Sequence, residues 1–113
     1  MGVNKRRKRM ASFVALPRAM LKSQEWRTGL SSAAKVVYVH LKYKFDGSNN
    51  GEIVLHYSEL EDFMASGTIW RAFKELLEKG WIERDHIVGG KYRFTIYFRL
   101  TGQYDEAISR FNL

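Results

Sequence analysis

The sequence predicts an α+β fold in which short helices precede a small antiparallel sheet, and three observations carry that expectation. Between Thr68 and Gly80, Ile69, Ala72, Phe73, Leu76 and Leu77 recur at i, i+3, i+4, i+7 and i+8, which lines one helical face. Trp70, Arg71, Lys74, Glu75 and Glu78 fall on the opposite face. Ser58 to Met64 reads as a shorter helix, joined to the first by the turn Ala65-Ser66-Gly67. Finally, Trp81 to Ile87 and Tyr92 to Leu100 alternate, and the Val88-Gly89-Gly90-Lys91 segment between them has the chemistry of a hairpin turn.

In chain order, Met1 to Ala11 is polar and basic without periodicity and is expected to be disordered in isolation, as an arm along phosphates or a solvated tail. Residues 12–102 are expected to form the domain, and 103–113 a tail or short helix. Ser12 to Leu16 reads as extended, and Pro17 suits the first turn of a short helix ending at Lys22. Trp26 and Leu30 are expected on the core. Ser31 or Ser32 caps the next helix, where Ala34, Val37, Tyr38, Leu41 and Phe45 form one stripe and Ala33, Val36 and Tyr43 a second. Two stripes need two coverings: the helical pair on one side, and Phe13 to Leu30 or a partner subunit on the other.

Asp46 to Gly51 is a loop of turn-forming residues that lacks the calcium-loop pattern. Glu52 to Leu55 is a short strand expected to pair with the hairpin. In the helical pair, Ser58 is the expected N-cap, with Glu61 completing a capping box and Leu60, Phe63 and Met64 facing inward. Thr68 is the expected N-cap of the second helix, and Gly80 closes it in a left-handed conformation. Gly89 and Gly90 are both expected to supply positive φ at the hairpin tip. Tyr92, Phe94, Ile96, Phe98 and Leu100 share one parity and are expected to face the core, with Arg93, Thr95, Tyr97 and Arg99 on the other side. At the C-terminus, Tyr104, Ala107, Ile108 and Phe111 stand at helical spacing.

Helix, tight turn, helix and hairpin, in that order, resemble the winged helix-turn-helix DNA-binding superfamily. The matching residues are Thr68-Ile-x-Arg71-Ala-Phe73-x-x-Leu76, Lys79-Gly80-Trp81-Ile82 and the Gly89-Gly90 tip, within a span from Leu30 to Leu100. Phe13-Val-Ala-Leu-Pro17-Arg-x-x-Leu21, followed by Trp26 and Leu30-Ser-x-x-Ala34-x-x-Val37-Tyr38, is loosely similar to the N-terminal domains of phage and plasmid replication initiators. The resemblance implies a three-helix core with a small antiparallel sheet, a β-hairpin wing and a second helix that enters the major groove. It also implies a role as a transcriptional regulator or a phage or plasmid replication-associated protein.

A chain of 113 residues builds one core of ordinary domain size. The absence of cysteine excludes disulfides, iron–sulfur clusters and cysteine zinc sites or nucleophiles. No apolar run approaches the roughly 20 residues that span a bilayer, and the first residues lack a signal-peptide core, so a cytoplasmic protein without membrane contact is expected. His40, His56 and His86 are not at metal-ligand spacing. Ser58 is explained as a cap, and Glu59, Glu61 and Asp62 as first-turn acids favoured by the helix dipole. No enzyme, cofactor, metal or small-molecule substrate is therefore expected.

The net charge of +7 is concentrated in Lys5, Arg6, Arg7, Lys8 and Arg9, leaving a domain that is only slightly basic. Duplex DNA binding, sequence-specific or structure-specific, assigns those five residues to phosphates. Ser66 and Thr68 lie at a helix start where backbone N–H groups favour phosphate. Trp70, Arg71 and Lys74 occupy the outer face, with Arg71 suited to bidentate guanine contact, and Lys91 and Arg93 lie on the wing. The alternative is a winged-helix protein-interaction or dimerisation module without base readout. It is favoured by Trp70 as an interface anchor and by the phosphate-repelling acids Glu59, Glu61, Asp62, Glu75 and Glu78. The expected partner is double-stranded DNA, with a homodimer left open.

Overall fold

The computed structural model describes residues 13–105 and residue 108. Among the described residues, four α-helices lead into a two-stranded antiparallel sheet: α1 (Arg18–Lys22), α2 (Gln24–Arg27), α3 (Ser32–Lys44), a 3-10 turn (Tyr57–Glu59), α4 (Ser66–Glu78), β1 (Ile82–Gly89) and β2 (Phe94–Leu100). Among the described residues no helix is long and apolar enough to cross a membrane.

Local chemistry sets the helix ends. The Ser23 hydroxyl accepts from the Trp26 amide at 3.2 Å and starts α2, and Ser31 does the same for Ala34 at the start of α3. At the end of α4, Gly80 takes φ +77°, which lets its own amide reach Leu77 O (3.2 Å) and the Trp81 amide reach Leu76 O (2.9 Å). That reversal delivers Trp81 straight into the core.

The predicted stripe of α3 is buried at Ala34, Val37, Tyr38 and Leu41, as is that of α4 at Ile69, Ala72, Phe73 and Leu76. Trp26, Tyr38 and Trp81 close a triangle of edge-to-face contacts with centroids 5.6–5.8 Å apart. Each such pair adds on the order of 0.5–1.5 kcal/mol beyond area burial. Trp26 and Leu30 thus join the core as expected. Of the second stripe of α3, Ala33 packs against the core, while Val36 and Tyr43 stay exposed among the described residues.

The Lys42 side chain links α3 to the segments that carry Ala15 and Asp105. It is buried, pairs with Asp105 at 2.5 Å and donates to Ala15 O at 2.7 Å. Tyr104 stacks on Trp81 and donates to Glu25 at 2.7 Å, and Ile108 is fully buried. Tyr104, Asp105 and Ile108 therefore dock on the domain; Ala107 and Phe111 lie outside the described residues.

Several local expectations are corrected. The helix predicted with Ser58 as its N-cap is a 3-10 turn whose cap is His56, two residues earlier, because the Glu59 carboxylate, held by Lys44 at 2.6 Å, accepts from the His56 amide at 3.0 Å. Leu60 is buried there, but Phe63 is exposed and lies against His40. Thr68 is not an N-cap: Ala65 is, α4 starts at Ser66, and the first turn closes through the Ile69 amide on Ala65 O at 3.0 Å. Glu52 to Leu55 is not a continuous strand. It touches the sheet through one bridge, Ile53 to Phe98, and the Asn50 carboxamide extends that edge by bonding Leu100 N and O at 2.7 and 2.9 Å.

The hairpin also departs from simple alternation. Ile82, Glu83 and Arg84 pair with Leu100, Arg99 and Phe98, and then His86 pairs with Tyr97, so Asp85 is an extra residue in a bulge. Its carboxylate bonds Arg99 and, at 2.7 Å, His86. Beyond the bulge the hairpin leaves the core: Leu100 and Phe98 are buried, Ile96 is half-buried, and Phe94 and Tyr92 are exposed. The turn lies two residues later than predicted, at residues 90–93, with Gly90 N on Arg93 O at 2.8 Å. Gly89 alone supplies positive φ (+130°); Gly90 does not.

Candidate functional site

The exposed edge of α4 begins at a helix start that lacks a side-chain cap, because Ala65 has no acceptor to offer. Ser66 is exposed there and Thr68 half-buried. Arg71 folds back toward this end, with Nη2 3.5 Å from Thr68 Oγ1. One turn on, Trp70 is 54% exposed with Lys74 Nζ 5.1 Å above its ring. Lys74 also stands 3.9 Å from Glu78, an exposed pair of little energetic weight.

Glu75 does not share that edge. Its two carboxylate oxygens accept from the Ser31 amide at 2.8 Å and the Ser31 hydroxyl at 2.7 Å, so it sits on the N-terminus of α3. Lys79 stands 3.4 Å from the same carboxylate and also donates to Gly29 O. Burial alone would raise the Glu75 carboxyl, but the bonds from Ser31 and Lys79 outweigh it and hold the group below its ordinary value. Glu59 is likewise held low, first by Lys44 and then by the His56 amide. Asp85 is held low by His86 and Arg99. Of the acids expected to oppose phosphate, Glu59 and Glu75 are thus engaged within the fold, while Glu61, Asp62 and Glu78 remain exposed.

Between α4 and the hairpin lies a cleft of about 750 Å³. Trp70, Phe73, Lys74, Leu77 and Glu78 form one wall, Val54 to Tyr57 the floor, and Arg84, Phe94, Thr95, Ile96 and Phe98 the other wall. Tyr57, Phe73 and Phe98 stack in series, with centroids 5.8 and 5.3 Å apart. That ladder gives the floor a rigid aromatic base. At the hairpin turn, Lys91 lies 5.7 Å from the Tyr92 ring, and both Lys91 and Arg93 are exposed.

The structure therefore groups Trp70 and Lys74 in the cleft, Ser66, Thr68 and Arg71 at the helix start, and Lys91 and Arg93 at the hairpin turn. Lys5, Arg6, Arg7, Lys8 and Arg9 lie outside the described residues. Arg84 and Tyr57 were not anticipated as site residues. Phe94 and Ile96 share the parity of Phe98 and both line the cleft, Ile96 while packing against the core and Phe94 as an exposed ring. The signal that was available for Phe94 is its place next to the hairpin turn, at the end of the strand farthest from Leu100. Compared with protein-family models, curated proteins and solved structures, the chain has no significant match.

Proposed function

We propose that this chain is a winged helix that binds duplex DNA, with α4 as the recognition helix, the β1–β2 hairpin as the wing, and no catalytic role. The observation that carries the reading is the sorting of charge on α4. Arg71 and Lys74 stand on the exposed edge beside an uncapped helix start, while Glu75 is turned away onto Ser31. The edge offered to phosphate is therefore more positive than the composition of the helix suggests. Uncapped first-turn amides at Ser66 and Thr68 favour a phosphate oxygen. Arg71 has the planar fork that guanine O6 and N7 accept, and Lys74 suits a point contact to the backbone. Lys91 and Arg93 at the wing turn reach a neighbouring phosphate or minor groove, and the five cations of the basic arm extend the contact. Regulation of transcription and a part in phage or plasmid replication both fit such a protein.

A second reading, a protein-interaction module, is favoured by the exposure of Trp70 beside an apolar cleft. Salt separates the two. Phosphate contacts release counterions, so affinity for duplex falls by about 0.9 log unit per contact per log unit of salt. Binding of the full chain to a random-sequence duplex by fluorescence anisotropy at two salt concentrations is expected to show that dependence. Absence of duplex binding, together with Trp70-dependent self-association, favours the second reading.

A further inference from the structure

The cleft between α4 and the hairpin contains aromatic faces that an intact duplex, whose base faces are stacked on one another, cannot stack against. In a duplex the bases present only their edges to the grooves, and their faces are covered by neighbouring bases. Yet Trp70, on α4, is 54% exposed and Phe94, on β2, is 61% exposed, and both line the cleft. A further ring, Tyr92, is 88% exposed at the turn of the same hairpin.

Cations interleave with these rings. Lys74 lies over Trp70 and Lys91 near Tyr92. Arg84 lines the cleft, exposed and without an ion-pair partner among the described residues. Aromatic rings set among cations are the pattern of surfaces that stack unpaired bases while tracking the phosphates between them. The volume, about 750 Å³, lies within the range of sites that enclose a small planar group.

We propose that this cleft takes an unpaired nucleobase between Trp70 and Phe94, so that the chain prefers DNA in which a single strand leaves the duplex. This rests on the duplex-binding reading above and narrows it to forked or partly melted DNA. An apolar peptide or a second copy of the chain are the competing occupants.

The test uses the full chain and three labelled DNAs with one common duplex: blunt, carrying oligothymidine tails, and carrying abasic tails of equal length. The abasic tails keep every phosphate and lose the bases. The thymidine fork is expected to bind about tenfold tighter than the abasic fork, the scale of a single base–aromatic stack. It should also quench tryptophan emission, which reports on Trp70 because Trp26 and Trp81 are buried. Trp70→Ala should erase the difference between the two forks, Trp70→Phe should retain most of it, and Phe94→Ala should erase it without changing affinity for the blunt duplex. Equal binding of the two forks overturns this proposal while leaving duplex recognition standing, as does a fork preference that survives Trp70→Ala. Failure of all three DNAs to bind overturns both, and Trp70-dependent self-association in sedimentation would then assign the cleft to a second copy.

Discussion

Replacing Glu75 with Gln or Ala perturbs the joint that orients the exposed edge of α4. Two bonds from the carboxylate to Ser31, at 2.7 and 2.8 Å, tie α4 to the start of α3, and Lys79 adds a weaker contact at 3.4 Å. Hydrogen bonds to a charged group contribute about 1.5–3 kcal/mol each when buried, and an anion at a helix N-terminus about 0.3–1 kcal/mol. Here water reaches the joint and replaces part of what is lost, so Glu75→Ala should cost about 1–2 kcal/mol. At roughly 4 °C per kcal/mol for a chain of this size, Tm should fall by about 4–8 °C. The loss should depend on pH. Because the folded Glu75 carboxyl titrates below its ordinary value, its contribution is complete above the unfolded pKa of about 4.3 and disappears as pH falls through the folded value. Thermal melts of wild type, Glu75→Ala, Ser31→Ala and the double variant should show coupling at pH 7 that shrinks toward pH 3. Additive effects, or a difference unchanged by pH, would refute the joint. An increase in duplex affinity on removing Glu75 would instead mean that its charge faces DNA.

Lys42→Ala takes the ammonium away from the buried Asp105 carboxylate and from Ala15 O; a loss of about 3–5 kcal/mol is expected, read as a lower urea midpoint. Gly89→Val should destabilise the hairpin by at least about 1 kcal/mol, since a Cβ there meets Arg93 O at 2.4 Å and φ is +130°. Gly90→Val, in open space, should leave Tm nearly unchanged, and equal effects of the two would contradict the turn. Arg71→Ala should narrow the gap between a selected site and random duplex by about 1–3 kcal/mol, whereas Lys74→Ala should weaken both in parallel; competition binding distinguishes them. Deleting Met1 to Ala11 should flatten the salt dependence for every duplex alike, and unchanged affinity would reduce the arm to a solvated tail.

What was legible in the sequence follows the range of the interactions involved. The stripes Ile69 to Leu76 and Ala34 to Leu41 express helical period, a local property, and both are buried as expected. Gly80 closes α4 because only its own neighbours are involved. The partners of Glu75 and Lys42, by contrast, lie 44 and 63 residues away, and no local pattern points to either. Glu75 therefore read as a charge on the open face, and Lys42 drew no reading at all. The Asp85 bulge breaks alternation in β1 without a glycine or proline to mark it; in β2 parity holds for Ile96, Phe98 and Leu100, and only Phe94, at the turn end of the strand, is exposed against it. Thr68 and Ser58 look like caps by residue type, but the actual starts at Ser66 and Tyr57 are set by Ala65 O and by Glu59 reaching the His56 amide.

The most direct test of duplex recognition by the α4 edge is the salt dependence of binding for the full chain and its Arg71→Ala, Lys74→Ala double variant. With the arm and the α4 edge both on phosphates, wild type should show a log–log slope of roughly −4 to −8. The double variant should keep the arm's share, with weaker affinity and a shallower slope. A flat salt dependence in wild type, or a double variant indistinguishable from it, would contradict duplex recognition through α4.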